Sequence, residues 1–144
     1  MITIRPAVSA DAPAVASLAG QFGYPTTEDE ARRRLTLLAA LPDDIVWVAE
    51  TPEREVIGWL HASRTVTLVA DVVVEVRGLV VDAMHRRRGC GARLMEAAEA
   101  WARTFGARCV CLRSNVIRAD AHRFYQRLGY EEVKRQATFR RDLP

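Results

Sequence analysis

The sequence predicts an α/β fold, an α+β mixed sheet with helices on both faces, in a single domain spanning residues 1–144. Short apolar segments rich in β-branched residues alternate with longer stretches in which apolar residues recur every three or four positions. The first pattern is typical of strands and the second of amphipathic helices. Their order is strand, two helices, three strands, helix, strand, helix and two strands, so we expect about seven strands and four helices.

The first part of the chain predicts one strand and two helices. The strand runs from Ile2 to Pro6. Asp11 is the expected N-cap of the first helix and Gly23 its end, because Asp accepts hydrogen bonds from free backbone N–H groups and Gly tolerates the dihedrals beyond a helix C-terminus. The pattern Thr27-x-x-Glu30 is a capping box, so it predicts the start of the second helix, which ends before Pro42.

The rest of the chain predicts a hairpin, a long strand and a second set of alternating elements. The hairpin turns at Pro52, between strands at Ile45–Glu50 and Val56–Thr65, and a long strand that starts near Thr67 ends at Asp82. The later elements are a helix from Ala92 to Phe105, a strand from Arg108 to Arg113, a helix from Ala119 to Leu128, and two strands between Tyr130 and Arg140.

Composition and charge exclude several classes of protein. The net charge of +3 is too small to indicate a general nucleic-acid binder, and no run of about 18 apolar residues is present that could span a membrane. The first residues have the pattern of a strand rather than of a signal peptide. The three cysteines, Cys90, Cys109 and Cys111, cannot all pair and lack a second cluster of ligands. We therefore expect a reducing, cytoplasmic location and no metal site.

The most informative segment is the turn between the long strand and the third helix. It contains three arginines and two glycines: Arg86, Arg87, Arg88, Gly89 and Gly91. A helix N-terminus presents unpaired backbone N–H groups and a partial positive charge, glycine allows close backbone approach, and arginine matches phosphate oxygens. A basic triplet is also typical of a solvated face or a nucleic-acid patch. The order strand, tight turn, glycine loop and helix favours a phosphate-binding loop.

This segment resembles the acyl-CoA-binding motif of the GNAT superfamily of N-acetyltransferases. The match is Leu79-x-Val81 in the strand and Arg86-x-x-Gly89-x-Gly91 in the loop, with one departure at Ala83, where the family commonly has proline. The predicted order of elements is also that of the GNAT fold, so the resemblance covers the whole chain. It implies a mostly antiparallel sheet whose central strands, ending at Asp82 and Ser114, splay apart around acetyl-CoA.

The resemblance also implies which residues bind acetyl-CoA. Strand backbone that has lost its neighbour can pair with an amide-containing ligand. A second segment resembles the family's C-terminal motif, in which Asn115 would contact the cofactor and Tyr125 would lie near the thioester sulfur; a packed aromatic is the alternative for Tyr125. The implied cofactor-binding residues are Leu79, Val80, Val81, Arg86, Arg87, Arg88, Gly89, Cys90, Gly91, Ala92, Asn115 and Tyr125.

The chemistry of amine acetylation points to a catalytic base. An alkyl amine has a pKa of about 10, so its proton must be removed before it attacks a thioester at neutral pH. Glu75 is our candidate, because its spacing from Arg86 matches the catalytic glutamate of the histone-acetylating branch of the family; a surface glutamate is the alternative. His61 and His122 are rival bases. Tyr125 is the candidate donor to the leaving thiolate, and we expect direct transfer within a ternary complex.

By resemblance, the acceptor enters between the first two helices and the sheet. The substrate-binding residues implied there are Phe22, Tyr24, Trp59, His61 and Glu75. Aromatic side chains with a little acid suit a small cationic amine, although the same residues can line an ordinary core. Small amines, amino acids, antibiotics, and protein lysines or N-termini stay open as acceptors.

Two classes of function follow from the sequence. The first is an acetyl-CoA-dependent N-acetyltransferase acting on a small-molecule amine, with acetylation of protein lysines or N-termini as a variant. The second is a non-catalytic module, either an acyl-CoA sensor or a basic nucleic-acid binder built on Arg86–Arg88 and Arg32–Arg34. We expect the enzyme, without membrane or nucleic-acid partners. A homodimer through the terminal strands stays open.

Overall fold

The computed structural model describes residues 1–114 and 117–144, and their contacts separate into one unit at Met1–Leu112 and another at Arg113–Pro144. The predicted single domain therefore stays a prediction. None of the described helices is long and apolar enough to cross a membrane. In chain order the elements are β1 (Thr3–Pro6), α1 (Ala12–Gln21), α2 (Glu28–Ala39), β2 (Asp44–Glu50), β3 (Val56–Thr67), β4 (Ala70–Val81), α3 (Cys90–Thr104), β5 (Val110–Leu112) and α4 (Ala119–Arg127).

The strands of the first unit form one sheet in the order β1-β2-β3-β4-β5. Pairs from β1 to β4 are antiparallel, whereas β4 and β5 are parallel, with Val74–Val76 paired to Val110–Leu112. β4 continues to Val81 without β5, so the predicted splay of the central strands is confirmed. Arg77 is an extra residue in β4, because His61 pairs with Gly78 and the next residue, Ala62, pairs with Val76. Such a bulge bends a strand and increases its twist.

Helices cover both faces of this sheet, as predicted. α1 and α2 cover one face, where a cluster of mostly small residues is buried against Val46 of β2: Ala12, Ala16, Ala31 and Leu35. α3 covers the opposite face, where the ring of Trp101 meets that of Trp47 edge to face at 5.8 Å. Apolar stripes at helical spacing thus meet the alternating strand residues on each side.

The helix N-termini confirm one cap and correct another. Thr27 Oγ1 accepts from the Glu30 N–H at 3.1 Å, and the Glu30 carboxylate accepts from the Thr27 N–H at 2.9 Å, so the capping box is confirmed. Asp11 is the N-cap residue of α1, as predicted, but its side chain makes no capping hydrogen bond to that helix. Its buried carboxylate accepts instead from the Val8 N–H and from the Arg5 guanidinium, because that charge offers stronger hydrogen bonds than the helix terminus.

The C-terminal strand predictions are wrong. β5 is shorter than the predicted Arg108–Arg113, and the described tail between Tyr130 and Arg140 carries neither of the two expected strands. The described chain therefore has five strands rather than seven. The tail has too few apolar residues to form a buried stripe, and Val133 and Phe139 are both exposed. A homodimer through terminal strands has no such strand to use in the described tail and stays a prediction.

Gly58 of β3 sets how closely α3 approaches the sheet. A Cβ at this position would lie 3.0 Å from the Val80 carbonyl oxygen, 3.2 Å from Cys90 Sγ and 3.3 Å from Leu94 Cδ1. Overpacking of this kind costs about 1–3 kcal/mol. We expect Gly58→Ala to lower the free energy of unfolding by about that amount, measured by urea denaturation.

Gly20→Ala in α1 is the matched control, because a Cβ there meets no atom within 4 Å. A helical Gly→Ala change raises the free energy of unfolding by up to about 1 kcal/mol, so the two variants should change stability in opposite directions. Equal stability of Gly58→Ala and wild type would contradict the tight approach of α3.

Candidate active site

The cofactor side of the candidate site begins where β4 has left β5. The Asp82 N–H donates to the Ile57 carbonyl of β3 at 2.8 Å. In an antiparallel strand, every second residue forms its backbone hydrogen bonds to the same neighbouring strand. Val80 lies two residues before Asp82, so its backbone groups also face β3, opposite Trp59. The backbone groups of Leu79 and Val81 face the opposite side. Of the three predicted backbone contacts, Leu79 and the N–H of Val81 are therefore available to a ligand, and Val80 is engaged by β3.

The arginine-rich loop curls back from the end of β4. Arg86 Nε donates to the Val81 carbonyl at 3.3 Å, which holds the start of the loop against the strand. The backbone of Arg87 and that of Gly89 both adopt the left-handed conformation, with φ of 68° and 78°. Glycine adopts this conformation freely, but it is unusual for arginine. Two left-handed residues around Arg88 give the loop a concave backbone of the kind that binds anions.

The N-terminus of α3 supplies hydrogen-bond donors to this loop. The Arg93 N–H donates to the Gly89 carbonyl at 3.0 Å and is the first bond of the helix. The N–H groups of Cys90, Gly91 and Ala92 precede that bond, so a bound phosphate can accept from them. The helix starts two positions before the predicted Ala92. Arg86, Arg87 and Arg88 are exposed, so their guanidinium groups are accessible to an anion.

The Cys90 side chain points away from this loop. It is 1 % exposed and lies under Gly58 of β3, on the α3 face of the sheet. Burial raises the pKa of its thiol to about 11. Cys90 can therefore contribute to the loop through its backbone N–H alone.

A group that the sequence reasoning missed ties α1 to the start of the loop. Gln21 Nε2 donates to Asp82 Oδ1 at 2.8 Å, and Gln21 Oε1 accepts from the Ala83 N–H at 2.9 Å. His85 Nδ1 lies 2.7 Å from Asp82 Oδ2. Hydrogen bonds from Gln21 and His85 lower the pKa of Asp82. The spacing Asp82-x-x-His85 was the only sequence signal for this cluster.

The predicted acceptor residues fall into two groups. The first group lies on the face covered by α1 and α2 and contains Trp59, His61 and Glu75. His61 lies opposite Val46, which packs against those helices. Trp59 is two residues before His61, and Glu75 lies opposite Ser63, two residues after it, so all three share that face. Phe22 and Tyr24 follow α1, and their rings pack against each other at 5.4 Å. Tyr24 is 66 % exposed. The sheet thus brings Trp59, His61 and Glu75 together, with Phe22 and Tyr24 as a separate pair.

Trp59 covers a side-chain-free position in β4. A Cβ at Gly78 would lie 2.8 Å from the Trp59 ring, so only glycine lets the indole rest on the strand. Trp59 Nε1 is buried and has no hydrogen-bond partner among the described residues. Buried indole N–H groups usually find a partner, so this donor is available to a bound ligand.

A row of polar side chains crosses the same face. His61 Nε2 lies 2.7 Å from Asp44 Oδ1, and Ser63 Oγ donates to the same oxygen at 2.5 Å. Arg77 Nε donates to Ser63 Oγ at 3.3 Å, and the Arg77 guanidinium lies 3.5 Å from Glu75 Oε1. Asp44, Ser63 and Arg77 were not among the residues predicted from the sequence. Ser63 follows His61 by two residues in β3, and Arg77 follows Glu75 by two residues in β4. This spacing does not reveal which residues of the two strands lie opposite each other, so the contacts between the strands could not be predicted from it.

The second predicted motif lies in the unit Arg113–Pro144. Tyr125 of α4 packs edge to face against Phe124 at 5.1 Å and against Tyr130 at 6.2 Å. Burial raises the pKa of its phenol, so the hydroxyl keeps its proton at neutral pH. His122 belongs to the same helix. Asn115 lies outside the described residues.

Comparison with known proteins decides the family. The sequence model of the Acetyltransferase (GNAT) domain matches residues 42–132, which is more than half of the chain. The chain belongs to the GNAT acetyltransferase family. The resemblance inferred from the loop motif is thus confirmed, and this GNAT protein is an N-acetyltransferase whose acyl donor is acetyl-CoA.

Relatives of this GNAT acetyltransferase are named for small-molecule substrates. The aminoglycoside N(6')-acetyltransferase type 1 of Stenotrophomonas maltophilia is 30% identical over 145 residues, which cover 98% of this chain and 94% of the relative. The aminoalkylphosphonate N-acetyltransferase of Salmonella typhimurium is 41% identical over 63 residues, or 44% of this chain and 41% of the relative. The crystal structure of an aminoglycoside 6'-N-acetyltransferase from Acinetobacter baumannii matches over 100% of both chains with a TM-score of 0.88 at 22% identity, which shows the fold.

The burial of Cys90 predicts a difference in thiol reactivity. Thiolate is the reactive form, so a raised pKa and burial both protect Cys90, whereas Cys109 is exposed. At pH 8 we expect iodoacetamide to modify Cys90 at least about tenfold more slowly than Cys109 in the native protein, followed by peptide mass spectrometry. In urea the two rates should converge. Equal native rates would contradict the packing of Cys90 against β3.

Proposed function

We propose that this GNAT acetyltransferase transfers the acetyl group of acetyl-CoA to a primary amine of a small molecule. The proposal depends on one observation: the open edge of β4 runs directly into a left-handed, arginine-rich loop and the N-terminus of α3. Relatives named for aminoglycosides and aminoalkylphosphonates support a small amine as the acceptor.

The residues present fit the two chemically distinct parts of acetyl-CoA. The pyrophosphate needs N–H donors and positive charge, which the α3 N-terminus and Arg86, Arg87 and Arg88 supply. The amide-containing arm needs backbone donors and acceptors along an open strand edge, which Leu79 and Val81 supply. From the family resemblance, Asn115 and Tyr125 are proposed as further contacts.

The acceptor side is proposed at the α1 and α2 face of the sheet. Trp59, Phe22 and Tyr24 offer aromatic surface to a cation, and Glu75 offers a carboxylate. Glu75 is the proposed acceptor of the proton that the ammonium form of the substrate loses. The neutral nitrogen then forms a bond to the thioester carbonyl carbon as the carbon–sulfur bond breaks, and it loses a second proton, which balances the proton taken up by the sulfur. Tyr125, protonated at neutral pH because burial raises the pKa of its phenol, is proposed to protonate the departing sulfur.

The buried thiol of Cys90 supports direct transfer within a ternary complex. A covalent acyl-enzyme needs an accessible thiolate, but Cys90 is buried with a raised pKa and faces the opposite side of the sheet. Direct attack by the amine is therefore proposed. A cytoplasmic location is also proposed, because a reducing compartment would keep the exposed thiol of Cys109 free.

Cofactor binding tests the loop, by calorimetry with acetyl-CoA. Gly89→Trp places bulk and a strained dihedral in the concave loop, so we expect wild type to bind and the variant to lose at least about tenfold in affinity. Gly106→Trp is the matched control, because Gly106 is also left-handed with open space around it but follows the far end of α3. The control should bind like wild type.

Absence of acetyl-CoA binding by the wild type would overturn the proposed cofactor site. Equal losses in Gly89→Trp and Gly106→Trp would mean that strain, rather than blocking of the loop, weakens binding.

Turnover tests the enzyme and its acceptor class. We expect thiol release from acetyl-CoA with at least one member of a panel of small amines, and no comparable release with a lysine peptide. Glu75→Gln should lower kcat by about 100-fold, as loss of a general base does. Glu53→Gln, in the exposed turn between β2 and β3, should leave kcat unchanged.

Tight acetyl-CoA binding without turnover of any amine would support an acyl-CoA sensor instead. Efficient turnover of the lysine peptide alone would move the acceptor class to proteins. An unchanged kcat in Glu75→Gln would remove Glu75 from the proposed role.

A further inference from the structure

Asp44 and His61 form a pair that the proposed reaction, as written with Glu75, does not use. They lie on neighbouring strands, with His61 Nε2 2.7 Å from Asp44 Oδ1. Both are mostly buried: the Asp44 side chain is 16% exposed and the His61 side chain 21% exposed. Ser63, 4 % exposed, donates its hydroxyl hydrogen to the same carboxylate oxygen. The carboxylate is thus held from two directions and cannot rotate freely.

The protonation state of Asp44 fixes the tautomer of His61. Burial alone would raise the pKa of Asp44, but the hydrogen bonds from Ser63 and His61 outweigh burial and lower it. Asp44 is therefore ionised at neutral pH, and an ionised carboxylate only accepts hydrogen bonds. The proton between the two residues must reside on His61 Nε2. When the imidazole is neutral, its lone pair is on Nδ1, which has no hydrogen-bond partner among the residues that the structure describes.

The same network reaches Glu75. Ser63 Oγ accepts from Arg77 Nε, and the Arg77 guanidinium pairs with Glu75 across the bulge of β4. The charged and titratable side chains joined along this face are Asp44, His61, Glu75 and Arg77. The two candidate bases, His61 and Glu75, are therefore connected through Asp44, Ser63 and Arg77. His61 contacts Asp44 directly, so a substitution of Asp44 changes the position of His61 first.

The reaction itself requires two proton transfers from nitrogen. An ammonium substrate carries three hydrogens on nitrogen and the amide product carries one, so two protons leave. One is balanced by protonation of the CoA sulfur, and the other is released to solvent. A single carboxylate would have to discharge the first proton before it accepted the second. A second acceptor on the same face removes that requirement.

We propose that Asp44 is a positioning residue of the acetyl transfer, which holds His61 so that its Nδ1 accepts one of the two protons that leave the substrate nitrogen. This inference rests on the proposed function, since it assigns roles on the acceptor side of the same site. Glu75 accepts the other proton.

The kinetic test uses the amine that the panel identifies. Asp44→Asn keeps the shape but removes the charge, and we expect kcat to fall by about 100-fold while the KM for acetyl-CoA stays within about twofold. His61→Gln should lower kcat similarly. Because the two residues act as one unit, the double variant should be no slower than His61→Gln alone. Asp43→Asn is the matched control: it pairs with Arg64, is half exposed, and should keep wild-type kcat.

The tautomer of His61 gives a readout that a merely structural role would not change. The chain has three histidines, so ¹⁵N imidazole spectra are simple, and His61→Gln assigns the signal of interest. In the neutral imidazole of the wild type we expect the proton of His61 on Nε2 and the lone pair on Nδ1. In Asp44→Asn the amide can donate to Nε2, so the other tautomer should become populated. If Asp44→Asn does not fold, the wild-type spectrum and the kinetics of His61→Gln decide.

Distinct results would overturn this inference and the proposed function. A wild type that turns over no amine removes the proposed function and this inference with it. A wild type that turns over an amine, with unchanged kcat in Asp44→Asn or His61→Gln, overturns this inference alone. So does a wild-type His61 protonated at Nδ1, or a double variant whose loss is the product of the single losses.

Discussion

The parting of β4 from β5 after Val76 is the constraint on which the site depends. A strand buried in a sheet normally has both edges paired, because an unpaired buried N–H or carbonyl costs about 1–3 kcal/mol. Here the bulge at Arg77 falls where the pairing with β5 ends, and the strand continues to Val81 with one edge open. Binding of an amide-containing ligand would offset the cost of that open edge, which is the physical basis of the cofactor site proposed there.

Side-chain-free positions make the strand accessible from both faces. Gly58 allows α3 to approach the sheet until Cys90 and Leu94 meet β3, which brings the helix N-terminus to the end of β4. Gly78 allows the Trp59 ring to rest on β4 from the opposite face. The α3 face therefore carries the proposed phosphate-binding loop, and the α1 and α2 face carries the polar row from Asp44 to Glu75. The proposed donor site and the proposed acceptor site therefore lie on the two sides of one strand.

Features that depend on residues close in sequence could be predicted from the sequence. Features that depend on which residues of neighbouring strands lie opposite each other could not. The capping box at Thr27 and Glu30 and the left-handed turn at Gly89 were predicted correctly, because each depends on residues close in sequence. The links from Asp44 to Ser63 and from Ser63 to Arg77 depend on which residues of three strands lie opposite one another, so they came only from the structure. The same limit explains Val80: the strand was predicted, but which residues face the open edge follows from the bond between Asp82 and Ile57. The two strands predicted in the tail were wrong because a weak alternation was not matched by enough apolar residues to bury.

Backbone hydrogen exchange, resolved by residue with NMR, tests the central claim most directly. The claim predicts that acetyl-CoA slows exchange at the amides of Leu79 and Val81 and at Cys90, Gly91 and Ala92. The Val80 amide, already bonded to β3, should exchange slowly with and without the cofactor. Unchanged exchange at Leu79 and Val81 under saturating acetyl-CoA would contradict the account, because the open edge of β4 would then not be where the cofactor binds.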